Sequence, residues 1–222
     1  MIDLKKRQLE KILQNLKEPV MPKPSLEQYT INGGLASEII NLAQLHGDIE
    51  GKIVFDHGCG AGRLAVGAAM FGARMVVGID IDKQMIKLAK ENLQRHEVFV
   101  DQQLPVFFVV CDLKNWHARC DTVVQNPPFG IQTRHADRMF IEKALECGQR
   151  IYSLHKDGYT KTRNFLTGLI EANGGSVEKI IKYKFRIPHM FRFHRRSNLE
   201  YDVDLYICGK KKQLNSRMVI KS

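Results

Sequence analysis

Ile53-Val54-Phe55-Asp56-His57-Gly58-Cys59-Gly60-Ala61-Gly62 is an apolar run that ends in a glycine-rich turn. Alanine-rich residues 64–70 follow and predict a helix, with Gly72 near its end. Buried strand, tight glycine turn and helix, in that order, open a doubly wound α/β sheet, and the glycines let a ligand approach the backbone. Outward from this unit the pattern repeats. Residues 75–79, 106–110, 122–124 and 151–154 read as short buried strands, and residues 83–95, 137–147 and 162–172 as the helices between or after them. Residues 177–187 and 203–208 read as two longer strands with no helix between them. The expected fold is therefore α/β, with a seven-stranded, mostly parallel sheet and an antiparallel C-terminal edge strand.

Upstream of the sheet, Leu9, Ile12, Leu13 and Leu16 share one face of an amphipathic helix. Pro19, Pro22 and Pro24 then break the pattern, and residues 36–45 predict a second helix. Residues 1–50 are expected to pack on the core as a helical extension, residues 51–209 to form the main domain, and residues 210–222 to form a basic tail.

The chain has 222 residues and a formal net charge of +10, with a pI near 9.4. Such a balance suggests a polyanionic partner, nucleic acid ahead of an anionic membrane surface, although a merely basic surface also fits. No apolar stretch approaches the roughly 18 residues that cross a bilayer. Met1 to Arg7 has no apolar segment behind it and does not read as a secretory signal. Cys59, Cys111, Cys120, Cys147 and Cys208 are scattered, with no Cys-x-x-Cys pair. Neither a metal site nor a disulfide framework is indicated, and a reducing compartment follows as the default.

Two carboxylates sharpen the glycine turn. Asp80 ends the second strand about twenty residues on, where it can accept ribose hydroxyl protons, and Asp112 ends the third, within reach of an adenine amino group. With Asp56 at the end of the first strand they outline a nucleoside pocket on one rim of the sheet. The alternative is that both carboxylates cap helices or sit in solvated turns. The spacing Gly-x-Gly-x-Gly, with no second nucleotide motif, favours S-adenosylmethionine over a nicotinamide. His57 reads as a packing residue.

Asn126-Pro127-Pro128-Phe129 follows the fourth strand. The amino nitrogen of adenine is a poor nucleophile because its lone pair is delocalised into the ring. The Asn126 side-chain oxygen and the Pro127 carbonyl can each accept one of its protons, drawing the nitrogen toward tetrahedral geometry. Pro127 and Pro128 stiffen the loop, and Phe129 offers a face for stacking. A plain turn is the bland alternative. Between Lys182 and Leu199 no acidic residue occurs, and Phe191, Arg192, Phe193, His194, Arg195 and Arg196 combine aromatics with cations, a composition suited to RNA. The preceding Lys182 to Ile187 alternates like an amphipathic edge strand.

Glu27-Gln28-Tyr29, Gly58-Cys59-Gly60-x-Gly62, Asp80-Ile81-Asp82, Asn126-Pro127-Pro128-Phe129-Gly130, Tyr152-Ser153-Leu154-His155-Lys156 and Phe193-His194 together resemble the methyltransferase-like protein five family, over nearly the whole chain. Asn-Pro-Pro-Phe alone is shared with DNA adenine and protein glutamine methyltransferases. The resemblance implies a Rossmann-like class I methyltransferase fold over residues 51–209. It implies N(6)-methylation of an adenosine in small-subunit ribosomal RNA, with S-adenosylmethionine as donor. Gln28, Ile31, Gly58, Ala61, Arg63, Asp80, Asp112 and Leu113 would line the donor pocket. It further implies a heterodimer with a small zinc-binding methyltransferase activator, and a location in the nucleus (nucleolus) and cytoplasm. This chain departs from the family at Ile31, where a threonine hydroxyl is usual, and at His57, where leucine is usual. Methylation of a protein glutamine, and a catalytically silent RNA-binding scaffold, are the competing functions.

Overall fold

The computed structural model describes residues 6–20, 22–23, 30–100, 103–128, 136–157, 159–188 and 198–211. Two helices, α1 (Lys6–Gln14) and α2 (Gly33–Leu45), precede β1 (Ile53–His57), α3 (Arg63–Met70), β2 (Met75–Asp80), α4 (Lys83–Val100) and β3 (Val106–Val110). A short 3-10 turn (Leu113–Asn115) leads to β4 (Thr122–Gln125), α5 (Ala136–Cys147), β5 (Arg150–Lys156), α6 (Tyr159–Ala172), β6 (Gly175–Pro188) and β7 (Asn198–Lys210). These are the elements expected from the sequence, with shifted ends. The start of α2 lies earlier than expected because Asn32 accepts a hydrogen bond from the Leu35 N–H (2.8 Å) and caps the helix.

One sheet of seven strands runs in the order β3-β2-β1-β4-β5-β7-β6. Strands β1 to β5 are parallel, and β7 pairs antiparallel with both β5 and β6. The antiparallel pair therefore stands at one edge, but the last strand of the chain lies inside it and β6 is the outer strand. Burial explains this order. Val203, Leu205 and Ile207 fill one side of β7 while Tyr206 and Cys208 fill the other, so the strand is covered on both faces. In β6, Glu178, Lys179, Lys182 and Lys184 are exposed, the charged character of a strand left at an edge. Asp204, buried in β7, is held by a bidentate pair with Arg163 of α6 at 2.7 Å to each oxygen.

Alternation along the strands divides the core into two layers. Val54, Val76, Val124, Tyr152, Leu154 and Leu205 pack beneath α1 to α4, and Leu9, Leu13, Ile39 and Ile40 belong to that layer. Phe55, Val77, Ile79, Val123, Ile151 and Tyr206 pack beneath α5 and α6 with Ile141, Leu166 and Ile170. The helices α1 and α2 thus share a continuous core with the sheet. Phe108 of β3 is seated through an omission. A side chain at Gly78, its register partner on β2, would bring a Cβ within 2.6 Å of the Phe108 ring.

Gly78→Ala is expected to lower stability by about 1–3 kcal/mol, the usual cost of overpacking a close-packed site. The shift should appear in the urea unfolding midpoint, and Phe108→Leu in the same chain should recover part of it. An unchanged midpoint for Gly78→Ala would contradict this packing.

Candidate active site

The carboxyl end of β1 enters the glycine turn between two neighbours. On one side is β2, where the Cys59 N–H donates to the Ile79 carbonyl (3.0 Å). On the other is β4, where Gln125 is the register partner of His57. The turn closes on itself through the Gly62 N–H and the Cys59 carbonyl (2.8 Å). Gly62, at φ +85°, caps α3 with no side chain of its own. Asp56 supplies the missing acceptor from below, its Oδ2 receiving the Ala65 N–H at 2.9 Å. Only 1 % of Asp56 is exposed. Burial pushes its carboxyl up to about 8; the charge of Asp80 adds to that, and the Ala65 N–H works against it. Asp56 therefore stands under the turn, as its anchor to α3.

Asp80 stands on the rim, half-buried. Its Oδ2 accepts from the Gly60 N–H (2.9 Å) and its Oδ1 from the Asp82 N–H (2.8 Å). Each carboxylate oxygen keeps a further lone pair, as a pair of ribose hydroxyls requires. Burial raises the Asp80 pKa, and the Asp82 and Gly60 amides oppose the rise. Asp112 is brought alongside by the Cys111 N–H, which donates to the Asp80 carbonyl (2.9 Å). One oxygen of Asp112 accepts from the Lys114 N–H (3.0 Å) and caps the 3-10 turn. Capping and rim position thus coexist at this residue. Leu113, which opens the 3-10 turn, and Ala61, within the glycine turn, are each 5 % exposed.

Arg63 aims its side chain away from the turn. Its Nε donates to the Leu13 carbonyl (2.8 Å), Nη1 to the Ile31 carbonyl, and Nη2 to the Leu16 carbonyl (3.3 Å) and Glu18 Oε1 (3.0 Å). Ile31, 5 % exposed, is thereby held at the start of α3. Gln28 and Phe129 lie outside the described residues, as do Phe191, Arg192, Phe193, His194, Arg195 and Arg196.

Asn126, Pro127 and Pro128 leave the end of β4, with Pro127 buried and its two neighbours half-buried. The Asn126 Oδ1 is shielded from solvent. Because His57 and Gln125 pair in register, Asn126 emerges next to Gly58, the first residue of the glycine turn. A polar row lies behind this junction. Gln125 Nε2 donates to Ser153 Oγ (2.7 Å), and Ser153 Oγ meets His155 Nε2 at 2.7 Å. Ser153 Oγ thus joins Gln125 to the His155 ring, whose Nδ1 lies 3.9 Å from Asp137 Oδ2. Burial pushes His155 down to about 3 and His57 down to about 4, so both rings are neutral at pH 7. The sequence alone did not single out Gln125, Ser153 or His155 for this row. Only the parallel register of β4 and β5 brings Gln125 beside Ser153.

Comparison with known proteins agrees with this geometry. A family signature described as ribosomal protein L11 methyltransferase (PrmA) matches residues 39–127, the segment that carries the glycine turn, Asp80 and Asp112. An uncharacterized protein of Methanocaldococcus jannaschii is 40% identical over 213 residues, covering 93% of this chain and 95% of the relative. The rRNA N(6)-adenosine-methyltransferase Mettl5 of Drosophila melanogaster is 33% identical over 217 residues, covering 93% and 97%. Among solved structures, a Pyrococcus horikoshii protein proposed to be an RNA methyltransferase superposes with a TM-score of 0.84 at 36% identity, covering 94% of this chain and 99% of that one. The fold is that of class I methyltransferases; a Synechocystis magnesium protoporphyrin IX methyltransferase that shares it was solved with SAM and with SAH bound.

The buried histidines set a pH dependence with a definite sign. His57 titrates near 6.5 when unfolded but near 4 when folded. Across that window the unfolded chain binds the extra proton, so stability falls as pH falls through it. His57→Leu removes this contribution. Its urea midpoint should exceed that of the wild type by more at pH 4.5 than at pH 7.5, and a gap independent of pH would overturn the assignment.

Proposed function

This chain belongs to the METTL5 family of methyltransferases, and from that premise we propose that it methylates the exocyclic amino group of an adenosine in small-subunit ribosomal RNA. The observation that carries the proposal is the register of β1 with β4, which delivers Asn126 to the edge of the glycine turn. S-adenosylmethionine is the proposed donor and, when bound, would supply an electrophilic methyl group on a sulfonium centre. Asp80 receives the ribose hydroxyls and Asp112 the adenine amino group of that donor. Gln28, Ile31, Gly58, Ala61 and Leu113 are proposed to line it. Asp56 and Arg63 serve the pocket indirectly, by anchoring the turn and the extension.

Asn126 Oδ1 and the Pro127 carbonyl accept hydrogen bonds from the two N–H groups of the target amino group, and Pro127 and Pro128 hold both acceptors ready before the base arrives. Phe129 stacks on the base. Once methylated, the nitrogen is acidic enough to release its proton to water, so no strong general base is required. A base paired within a helix must leave it to reach this loop. Phe191, Arg192, Phe193, His194, Arg195 and Arg196 are proposed to hold the RNA, consistent with the +10 charge of the chain. A small zinc-binding activator is proposed to cover the β3 edge of the sheet. Supporting that placement, Phe107, Val110 and Ile81 are 58%, 48% and 56% exposed around this strand.

Asn126→Ala combined with Pro127→Ala should reduce transfer by about 10²-fold or more while donor affinity, measured by calorimetry, stays within about twofold. The assay is labelled donor with ribosomal RNA from cells lacking this protein, with and without the activator, followed by mapping of the label. Near-normal transfer by the double variant would refute the acceptor assignment. Substrate binding should also weaken steeply with added salt; a flat dependence would point instead to a protein glutamine.

A further inference from the structure

Asn92 is a polar side chain on α4 that is 1% exposed and has no place in the chemistry above. Its Oδ1 accepts the Lys17 N–H (2.9 Å), and its Nδ2 donates to the Lys17 carbonyl (3.1 Å) and to the Ala61 carbonyl (3.0 Å). Reversing the amide would set its oxygen against two carbonyls, so the network defines its orientation. One side chain thus joins three elements: α4, the N-terminal extension and the glycine turn.

The point of attachment on the turn is informative. Ala61 lies between Gly60 at φ +51° and Gly62 at φ +85°. Glycines on both sides leave that stretch of backbone soft. The Gly60 N–H is tied to Asp80 and the Gly62 N–H to the Cys59 carbonyl, both within the β1–β2 unit. The Ala61 carbonyl is held from outside that unit, by Asn92. Arg63 makes the same connection from the next turn of chain. It is a cation at the N-terminal end of α3, where the helix dipole disfavours positive charge, and it is 2% exposed. The carbonyls of Leu13 and Leu16, at the end of α1 and just beyond it, and the Glu18 carboxylate offset that cost.

We infer that Asn92, supported by Arg63, is a positioning residue for donor binding: it makes residues 16–18 of the N-terminal extension a brace for the glycine turn. The inference rests on the reading of that turn as the donor site. The brace acts on the shape of the turn and leaves the acceptor loop alone. It therefore separates the two halves of the reaction.

Asn92→Ala, in the full chain, should raise the dissociation constant for S-adenosylhomocysteine about tenfold, the effect of one lost buried hydrogen bond. The turnover rate at saturating donor and the KM for RNA should stay within about twofold. A folded Asn92→Ala protein with unchanged affinity for S-adenosylhomocysteine would overturn the inference, even if its melting temperature fell. A second measurement needs no variant. In the wild type, S-adenosylhomocysteine should slow hydrogen exchange in the peptide carrying the Lys17 amide, and no change there would also overturn it. If the wild type bound no S-adenosylhomocysteine at all, the donor-site reading itself would fail, an outcome distinct from either of these.

Discussion

The active region depends on one topological constraint, the reversal of strand order between β1 and β4. From β1 the chain winds through β2 to β3 on one side, and then returns to place β4 on the other. Connections leaving neighbouring strands on opposite sides of such a reversal part from each other and leave a crevice at the carboxyl ends. The glycine turn occupies one lip and Asn126 the other. Their proximity costs no special contact, because backbone pairing of His57 with Gln125 has already set it.

Buried polar groups make the crevice a defined shape. A carboxylate, a guanidinium or an amide inside a protein is costly unless its hydrogen-bonding capacity is used. Asp56 is spent on the first turn of α3, Arg63 on the end of α1 and on Ile31, and Asn92 on Lys17 and Ala61. Gln125, Ser153 and His155 form a row beginning just before the Asn126-Pro127-Pro128 loop. Moving any of these elements would strand a buried polar partner, so the rim is held by penalties for displacement as much as by attraction. The neutral state of His57 and His155 belongs to the same logic, since an imidazolium in either place would lack the water it needs.

Division of labour follows from the two faces of the sheet. On the face covered by α1 to α4, Asp56 of β1 anchors the glycine turn to α3, and Asn92 of α4 reaches the same turn. On the face covered by α5 and α6, Gln125, Ser153 and His155 form a polar row beside the Asn126-Pro127-Pro128 loop.

Much of this was legible in the sequence because the signals are local. Short apolar runs and period-3.6 patterns marked the strands and helices, and the glycine turn, Asp80, Asp112 and Asn126-Pro127-Pro128 declared themselves by their places at strand ends. The sequence also indicated an antiparallel pair at one edge. It did not indicate that β7 would enter between β5 and β6, since that depends on which strand can be covered on both faces. Nor could it reveal the work of Arg63 and Asn92, whose partners lie 50 and 75 positions away in the chain. Chain-local sterics and hydrophobic period determine which elements form and which residues stand at their ends. Register and helix docking decide which distant polar groups meet, because a buried hydrogen bond is defined by two partners that only the folded chain brings within reach.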